Sequence, residues 1–298
     1  MHILATTILY GGLAYHGLKK KSLSLSGAVA AAAVCFPTFS HPFILFMTVL
    51  LTFYLSSSKL TKVGTSTKKK LEEDFKEGGQ RNAVQVFSNG FTGTVIACLH
   101  YMLVVHENKG SMEGLCFADS STNWLSRLNT ALLAAYIGTY ACCNGDTWAS
   151  ELGVFSKSDP YLITTLRPVP KGTNGGISLI GTLASIAGGA VIGLIAALSH
   201  ISSPCFSLGL ITRLVVFASV CGFIGSMIDS VLGATLQRST FNKKSGQITQ
   251  DFRRLKKGEE KTDLVVVSGW EVLDNHQINF VSSLLTGVIA GVVAFIAF

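Results

Sequence analysis

Charged side chains are scarce in this sequence. Only 14% of its 298 residues are Asp, Glu, Lys or Arg, whereas 48% are hydrophobic. A typical soluble domain carries about 25% charged residues, and the mean hydropathy here is +0.46. The composition therefore excludes an ordinary soluble domain. It predicts an all-α, polytopic membrane protein.

Metal-binding cysteine motifs and a secretory leader are also missing. None of the seven cysteines belongs to a C-x-x-C pair, so the sequence indicates neither a zinc site nor a disulfide framework. Lys19, Lys20 and Lys21 follow the first apolar run instead of preceding it. This order is unlike that of a signal peptide, so we expect the first run to remain as a membrane anchor.

Long apolar runs are abundant, and several approach the ~20 residues that a helix needs to cross a bilayer. They cover residues 2–18, 24–39, 42–58, 86–106, 128–143, 176–200, 208–236 and 279–298. The second and third runs are short. We predict about eight transmembrane helices, with seven or nine as the alternatives, in a single integral membrane domain that covers residues 1–298.

Basic residues are distributed unevenly along the chain. Four segments, 19–21, 59–83, 144–175 and 237–278, contain 21 of the 24 Lys and Arg residues. If eight helices alternate in direction, all four segments lie on one side of the membrane. The positive-inside rule identifies that side as cytosolic. We therefore predict cytosolic loops at 59–83 and 237–278, within an endoplasmic reticulum or other endomembrane protein.

The same topology assigns sides to particular residues. Lys68–Lys70 and Lys256–Lys257 are expected on the cytosolic side, and Glu113 is expected on the opposite side. Cys116 and Cys205 both fall in non-cytosolic connections, where they can meet. The polar motifs described next all face the cytosol in this arrangement.

The stretch Asn144–Gly153 places two carboxylates, an amide and hydroxyls directly after an apolar run. An acid at a membrane edge is costly to place, so a functional role is the default interpretation. Asp146 and Glu151 suit a cation and, through it, a phosphate. About 140° of helix rotation separates them at 3.6 residues per turn. Both reach one ion only if the helix breaks near Asn144-Gly145 or a water molecule bridges one of them.

Arg81, Gln85 and Asn89 are spaced four residues apart and so form one polar stripe on a helix. A stripe facing lipid is costly, so it must face protein or a cavity. Hydrogen bonding between helices and ligand binding are equal alternatives. Lys62 lies at the other end of the preceding loop, where its cation can hold a phosphate while its stem lies in the membrane interface.

The segment Lys171–Gly176 precedes an apolar run rich in Gly and Ala. Free backbone N–H groups at a helix start favour an anion, and Lys171, Thr173 and Asn174 add a cation and polar groups. The segment lacks the G-x-x-x-x-G-K-[ST] spacing of a phosphate loop. An ordinary glycine-rich turn with a Thr or Asn cap is an equal alternative. Arg167, shortly before it, is a further candidate phosphate ligand.

Asp229 lies far inside the apolar run 208–236, with no basic residue nearby. A lone carboxylate there needs a partner or a cation, so we expect it to face a polar cavity shared with other helices. Asn275 begins the last helix, where it either lines the same cavity or only caps the helix. Asn-Gly pairs at 89–90, 144–145 and 174–175 indicate helix breaks around one site.

At these residues the sequence resembles the transmembrane protein 19 family, over nearly the whole chain. The stretches that carry the resemblance are residues 56–64, 79–90, 142–153 and 171–176. The plant branch of that family includes the phytyl-phosphate kinase of tocopherol synthesis. The resemblance implies that Asp229 and Asp274-Asn275 belong to the site. No plastid transit peptide is evident, which disfavours chlorophyll-derived phytol as the native substrate.

The first hypothesis for the function is a membrane-embedded kinase that converts an isoprenyl monophosphate into the diphosphate, with CTP or ATP as the donor. Asp146, Glu151 and Asp229 are then the Mg²⁺ ligands. The catalytic set is Asp146, Asp229 and Lys171. The other expected ligands of the nucleotide and the acceptor are Lys62, Arg81, Gln85, Asn89, Asn144, Arg167, Thr173, Asn174 and Asn275.

Two other functions are open, a cation-coupled transporter and a structural membrane protein without catalysis. The polar motifs gather at one surface, which disfavours a transport path, and a purely structural role must treat Asp229 as packing. For the kinase we expect a lipid-like prenyl phosphate and membrane lipids as partners, and no nucleic acid. The prenyl tail should enter sideways between the runs 176–200 and 208–236. The sequence leaves the oligomeric state open.

Overall fold

Eight helices form most of the part of the chain that the structure, a computed structural model, describes. That part comprises residues 3–64, 71, 80–111, 115–117, 123–250 and 263–297. The helices are α1 (Ile3–Lys19), α2 (Leu25–Ser40), α3 (Leu45–Leu60), α4 (Ala83–His100), α5 (Trp124–Gly153), α6 (Leu179–Leu198), α7 (Leu208–Leu236) and α8 (Asn275–Ala297). A π-helical turn, Tyr101–Val105, continues α4. Each helix overlaps one predicted apolar run.

The lengths and compositions of the helices are those of a membrane protein. Among the described residues, four segments are long and apolar enough to cross a bilayer: Ala83–Val105, Leu179–Leu198, Leu208–Leu236 and Asn275–Ala297. α2 and α3 are shorter apolar helices of 16 residues each. The count of about eight spans stays a prediction. So does the topology assigned to Lys68–Lys70, Glu113 and Lys256–Lys257, which lie outside the described residues.

α5 is the central helix of the bundle. It packs against α3, α4, α6, α7 and α8. Every residue from Leu133 to Gly145 is buried, so α5 presents no face to lipid over that length. The buried Tyr136 hydroxyl of α5 donates to the Phe46 carbonyl oxygen of α3. The C-terminal acids of α5 are therefore placed at the centre of one end of the bundle.

The Asn-Gly pairs at 89–90 and 144–145 do not break their helices, so this part of the sequence prediction is wrong. α4 and α5 continue through them. Their glycines allow close packing instead. A Cβ on Gly90 would lie 2.9 Å from a Val34 methyl carbon, and one on Gly145 would lie 2.9 Å from the Ser185 carbonyl oxygen. Such approach is typical of small residues between membrane helices.

Glycines also allow α6 and α7 to pack closely against each other. A Cβ on Gly189 would lie 2.2 Å from the Ala218 carbonyl oxygen, and one on Gly193 would lie 2.2 Å from the Leu214 carbonyl oxygen. Small residues here bring two backbones together rather than leaving a gap. This close packing leaves no opening at these positions and counts against the prediction that a prenyl tail enters between α6 and α7.

Replacing Gly189 by Ala is expected to destabilise the protein by about 1–3 kcal/mol, because α6 and α7 must separate to admit the methyl group. Gly12→Ala is the matched control, since no atom lies within 4 Å of a Cβ at that helical position. Thermal unfolding of the purified variants in detergent measures the difference. Equal melting temperatures for the two variants would contradict the close contact.

Five short strands in the described residues show that the fold is not purely α-helical. They are β1 (Tyr161–Leu162), β2 (Gly176–Ile177), β3 (Ser239–Asn242), β4 (Gln247–Gln250) and β5 (Leu264–Ser268). β1 and β2 form an antiparallel pair, and the other three form an antiparallel sheet in the order β4-β3-β5. This sheet lies in the segment 237–278, which was predicted only as a loop. The strands are too short to give a clear alternating pattern.

Cys116 and Cys205 form a disulfide that joins the α4–α5 connection to the α6–α7 connection. This is the pair that the predicted topology allows to meet. Disulfides persist in oxidising compartments and are rare in the cytosol. The predicted topology assigns these two connections to the non-cytosolic side, and that orientation stays a prediction.

Removing the disulfide with Cys116→Ser and Cys205→Ser is expected to lower the free energy of unfolding by roughly 2–4 kcal/mol, since a crosslink over a long loop restricts the unfolded chain. Cys98→Ser removes a half-buried free thiol and serves as the control. Melting temperatures without reductant provide the comparison. A double variant with the same melting temperature as the wild-type protein would contradict a stabilising disulfide.

Candidate functional site

A polar cavity of about 440 Å³ lies at one end of the bundle. It is formed by the C-terminal ends of α3, α5 and α7 and the N-terminal ends of α4, α6 and α8. The disulfide is at the other end of these helices. Four polar features identified in the sequence contribute to its lining: the stretch Asn144–Gly153, the set Arg81, Gln85 and Asn89, the segment Lys171–Gly176, and Asp229. The predicted site residues in its lining are Arg81, Gln85, Asn89, Asp146, Glu151, Lys171, Thr173, Asn174, Asp229 and Asn275.

Two acids from different helices face this cavity, Asp146 of α5 and Asp229 of α7. Asp146 Oδ1 accepts a hydrogen bond from the Ser226 hydroxyl at 3.3 Å, and Asp229 Oδ2 accepts one from the Ser282 hydroxyl at 3.0 Å. The two carboxylates are close enough to repel each other when both are ionised. Within the described residues neither forms an ion pair. Such a pair is stabilised by a cation or by sharing a proton.

Glu151 lines the cavity but is not grouped with these two acids. In the described part of the chain, no three His, Cys, Asp or Glu side chains lie close enough together to hold a metal ion. The reason is that α5 does not break, so about 140° of helix rotation still separates Glu151 from Asp146. Of the two predicted arrangements, the one with a helix break and three direct ligands is therefore not assembled, and the one in which a water molecule bridges Glu151 is left. Glu151 lies instead within electrostatic range of Arg81.

Arg81 supplies a half-buried cation to the cavity from a position just before α4, outside the helical stripe predicted for it. Its guanidinium carbon lies 5.4 Å from the centre of the Phe53 ring and 5.7 Å from the centre of the Tyr54 ring. Its backbone is held by hydrogen bonds to Ser22 and Ser24. Burial lowers the pKa of Arg81, and Tyr54 and Glu151 oppose that shift. The guanidinium remains charged because its ordinary pKa exceeds 12.

The loop Lys171–Gly176 forms another wall of the cavity. Gly172 and Gly175 have φ values of +88° and +75°, which favour glycine. Gly175 also lies against α7, where a Cβ would be 2.4 Å from that of Ala234. Lys171 Nζ donates to the Ser156 carbonyl oxygen. The loop is thus held in place on one side by α7 and on the other by the segment after α5.

Asn174 carries an unused donor in this loop. Its backbone N–H donates to the Ser239 hydroxyl at 2.9 Å, and its carbonyl oxygen accepts from the Ser268 hydroxyl at 3.3 Å. The three-stranded sheet therefore fixes its position. The side-chain Nδ2 is buried and has no hydrogen-bond partner among the described residues. Buried polar atoms are almost always paired, and Asn174 lines the cavity, so this donor is a candidate hydrogen-bond donor to a ligand there.

The other amide side chains in the cavity lining differ in whether they already form hydrogen bonds within the protein. Gln85 forms a capping box with Asn82, and Asn89 Nδ2 donates to the Gln85 carbonyl oxygen at 2.9 Å. At the start of α8 the reciprocal capping bonds are made by Asp274 and Gln277. Asn275 is therefore not needed as a cap, and it lines the cavity.

Three predicted ligands do not line the cavity. Asn144 is fully buried, where its Oδ1 accepts from Ser56 and Ser57 at 2.7 and 3.2 Å and its Nδ2 donates to the Gly188 carbonyl oxygen. Lys62 is exposed, and its Nζ donates to the Lys20 carbonyl oxygen. Arg167 is exposed in the β1–β2 connection. Asn144 therefore joins α3, α5 and α6 rather than facing a ligand.

Sequence reasoning also missed residues that contact the acids. Ser226 lies on the same face of α7 as Asp229, three residues earlier, and this spacing could have identified it. Ser282 lies in an apolar stretch of α8 and carried no comparable signal. Ser178, the N-cap of α6, and His276 also line the cavity.

The fold and the site define an integral membrane protein with an acid-containing polar cavity at one end of its helical bundle. The chain belongs to the family described as integral membrane protein DUF92, which matches residues 8–287. This family assignment confirms the resemblance to the transmembrane protein 19 family. No solved structure matches the chain.

Relatives occur in plants and in prokaryotes. Protein PGR of Arabidopsis thaliana is 39% identical over 97% of this chain and 95% of its own length. Protein VTE6, chloroplastic, of the same plant is 30% identical over 62% of this chain and 47% of its own length. An uncharacterized membrane protein of Methanocaldococcus jannaschii is 28% identical over 74% of this chain and 77% of its own length. The similarity to Protein PGR thus extends over almost the whole of both chains.

Proposed function

We propose that this protein is a membrane-embedded kinase that transfers the γ-phosphoryl group of CTP or ATP to an isoprenyl monophosphate, giving the diphosphate. The observation that carries the proposal is the pair Asp146 and Asp229, which lack ion-pair partners among the described residues and share a cavity with Arg81 and Lys171. Carboxylates for a metal beside cations for phosphate are the groups that phosphoryl transfer needs. The family resemblance supports the same activity.

Asp146 and Asp229 fit a magnesium ion. They provide hard oxygen ligands from two helices, and their mutual repulsion is relieved by a divalent cation. Glu151 is separated from them on α5 and would contribute through a water molecule. Bound Mg²⁺ supplies charge neutralisation on the phosphate oxygens. The chain's part is to hold the two carboxylates in place through Ser226 and Ser282.

The acceptor needs no general base, because a monophosphate oxygen is already anionic. That oxygen forms a bond to the γ-phosphorus while the bond to the β-phosphate oxygen of the nucleotide breaks, and the nucleoside diphosphate leaves. Arg81 and Lys171 neutralise the phosphates. Asn174 Nδ2 donates to a phosphate oxygen, and Gln85, Asn89, Thr173 and Asn275 complete the polar lining.

The cavity faces the cytosol in this proposal, where nucleoside triphosphates are available. The described parts of the basic segments lie at the cavity end of the helices, and the Cys116–Cys205 disulfide lies at the other end. Both features favour this orientation in the endoplasmic reticulum or another endomembrane. Towards the disulfide end, the bundle is packed with apolar residues such as Leu133, Ile137 and Leu214. This packing favours a one-sided active site over a transport path.

Purified protein in lipid nanodiscs provides the test. With radiolabelled nucleoside triphosphate, Mg²⁺ and a prenyl monophosphate, we expect label to move into the prenyl diphosphate. Omitting Mg²⁺ should abolish the transfer. Failure to label a panel of prenyl monophosphates of different lengths with either CTP or ATP would contradict the proposed function.

A further inference from the structure

A second pocket, almost entirely apolar, lies between α1, α2, α3 and α4. Tyr10, Leu13, Val34, Leu50 and Tyr54 are among the side chains that line it. Its volume of about 70 Å³ exceeds the roughly 10–15 Å³ that one water molecule requires. Apolar walls disfavour water at these positions, so the pocket suits a short stretch of hydrocarbon.

This apolar pocket adjoins the polar cavity. Phe53, Arg81, Gln85 and Asn89 line both spaces. The guanidinium of Arg81 lies over the Phe53 and Tyr54 rings, so its charge is held at the boundary between them. A molecule that occupies both spaces must therefore be anionic where it passes Arg81 and apolar beyond Phe53.

α1 is placed to let such a molecule enter from the bilayer. It packs mainly against α2. A Cβ at Gly11 or Gly12 would find no atom of the described residues within 4 Å, so with respect to that part of the chain the middle of this helix is open around its backbone. By contrast, α6 and α7 are in backbone contact on the other side of the bundle. The open side of the bundle is the side that carries the apolar pocket.

We propose that the pocket between α1, α2, α3 and α4 receives the hydrocarbon chain of a lipid phosphate whose headgroup lies in the polar cavity. The inference rests on the proposed function, in which the acceptor is a prenyl monophosphate. The small volume takes only the part of the chain nearest the headgroup, and the rest stays in the bilayer beside α1. Keeping an apolar chain out of water in this way is favourable.

Photocrosslinking of the wild-type protein tests the location of the chain directly. The probe is a prenyl monophosphate with a diazirine near its phosphate, followed by peptide mapping. We expect labelled peptides from α1–α4, around Leu13, Val34 and Tyr54. Labelling confined to α6 and α7 would overturn the inference. The experiment measures binding rather than catalysis. If the protein shows no kinase activity but its α1–α4 peptides are labelled, the result would support the pocket and contradict only the proposed function.

Ala31→Leu provides the second measurement, since Ala31 is a half-buried residue that lines the pocket. Extra methyl groups there should raise the KM for a prenyl monophosphate by about tenfold and leave the KM for the nucleotide unchanged. Ala187→Leu, at an exposed position of α6, is the matched control. An active Ala31→Leu variant with both KM values unchanged would overturn the inference.

Discussion

Asp146→Asn and Asp229→Asn are each expected to slow phosphoryl transfer by roughly 10²–10³-fold. The amide keeps the shape of the side chain and its hydrogen bond to Ser226 or Ser282, but it removes the charge that a divalent cation requires. Melting temperatures should stay the same or rise, because each change relieves the repulsion between two neighbouring acids. Glu151→Gln should lose less activity, since Glu151 is not grouped with them.

Initial rates over a series of Mg²⁺ concentrations, measured beside melting curves, provide the comparison. Asp159→Asn is the matched control, because Asp159 is exposed and does not line the cavity. Full activity in Asp146→Asn would exclude a metal-binding role for that carboxylate. A fall in melting temperature that accounts for the activity loss would favour a structural role for the acids.

Arg81→Lys is expected to lower kcat/KM for the lipid phosphate by about 10–100-fold, equivalent to ~1.4–2.7 kcal/mol of transition-state stabilisation. Lysine keeps the charge but has no planar guanidinium to lie over Phe53 and Tyr54 or to bind two phosphate oxygens at once. Retention of the charge makes this variant more informative than Arg81→Ala, which would leave the cavity wall without its cation.

Arg213→Lys is the matched control, since Arg213 is exposed near the start of α7 and outside the cavity. Steady-state kinetics on both variants, with each substrate varied in turn, separate lipid binding from nucleotide binding. Unchanged kcat/KM in Arg81→Lys would show that a simple positive charge is enough at this position. The proposed binding of two phosphate oxygens by the planar guanidinium would then be wrong.

The helices and the convergence of polar stretches could be predicted from the sequence because both depend on local patterns. Long apolar runs have few alternatives to helices in a membrane. Asp229 could be assigned to a cavity because an isolated acid in such a run has no stable place facing lipid. Gln85 and Asn89 could be assigned to one helical face from their spacing, but Arg81 precedes the N-cap Asn82 and pairs with Leu23, so it does not belong to the predicted helical stripe.

The roles of Gly145 and Asn144 could not be predicted, because they depend on which helices lie beside α5. Gly145 indicated a break, but it is the approach of Ser185 and Gly222 that requires a glycine there. Asn144 has the donor and acceptor of a ligand-binding residue, and only the positions of Ser56 and Gly188 show that both are already used. The glycines of α6 and α7 were interpreted as an opening for a prenyl tail, but they lie in close backbone contact, which glycines indicate as readily.

The most direct test of the proposed kinase activity is phosphorus NMR of a prenyl monophosphate incubated with the wild-type protein in nanodiscs, a nucleoside triphosphate and Mg²⁺. We predict that the monophosphate signal is replaced by the two signals of a diphosphate, with one nucleoside diphosphate released per product. The double variant with Asp146→Asn and Asp229→Asn, if its melting temperature equals that of the wild-type protein, should leave the monophosphate intact. An unchanged monophosphate signal with the wild-type protein, or equal conversion by the double variant, would contradict a kinase that acts through these two acids.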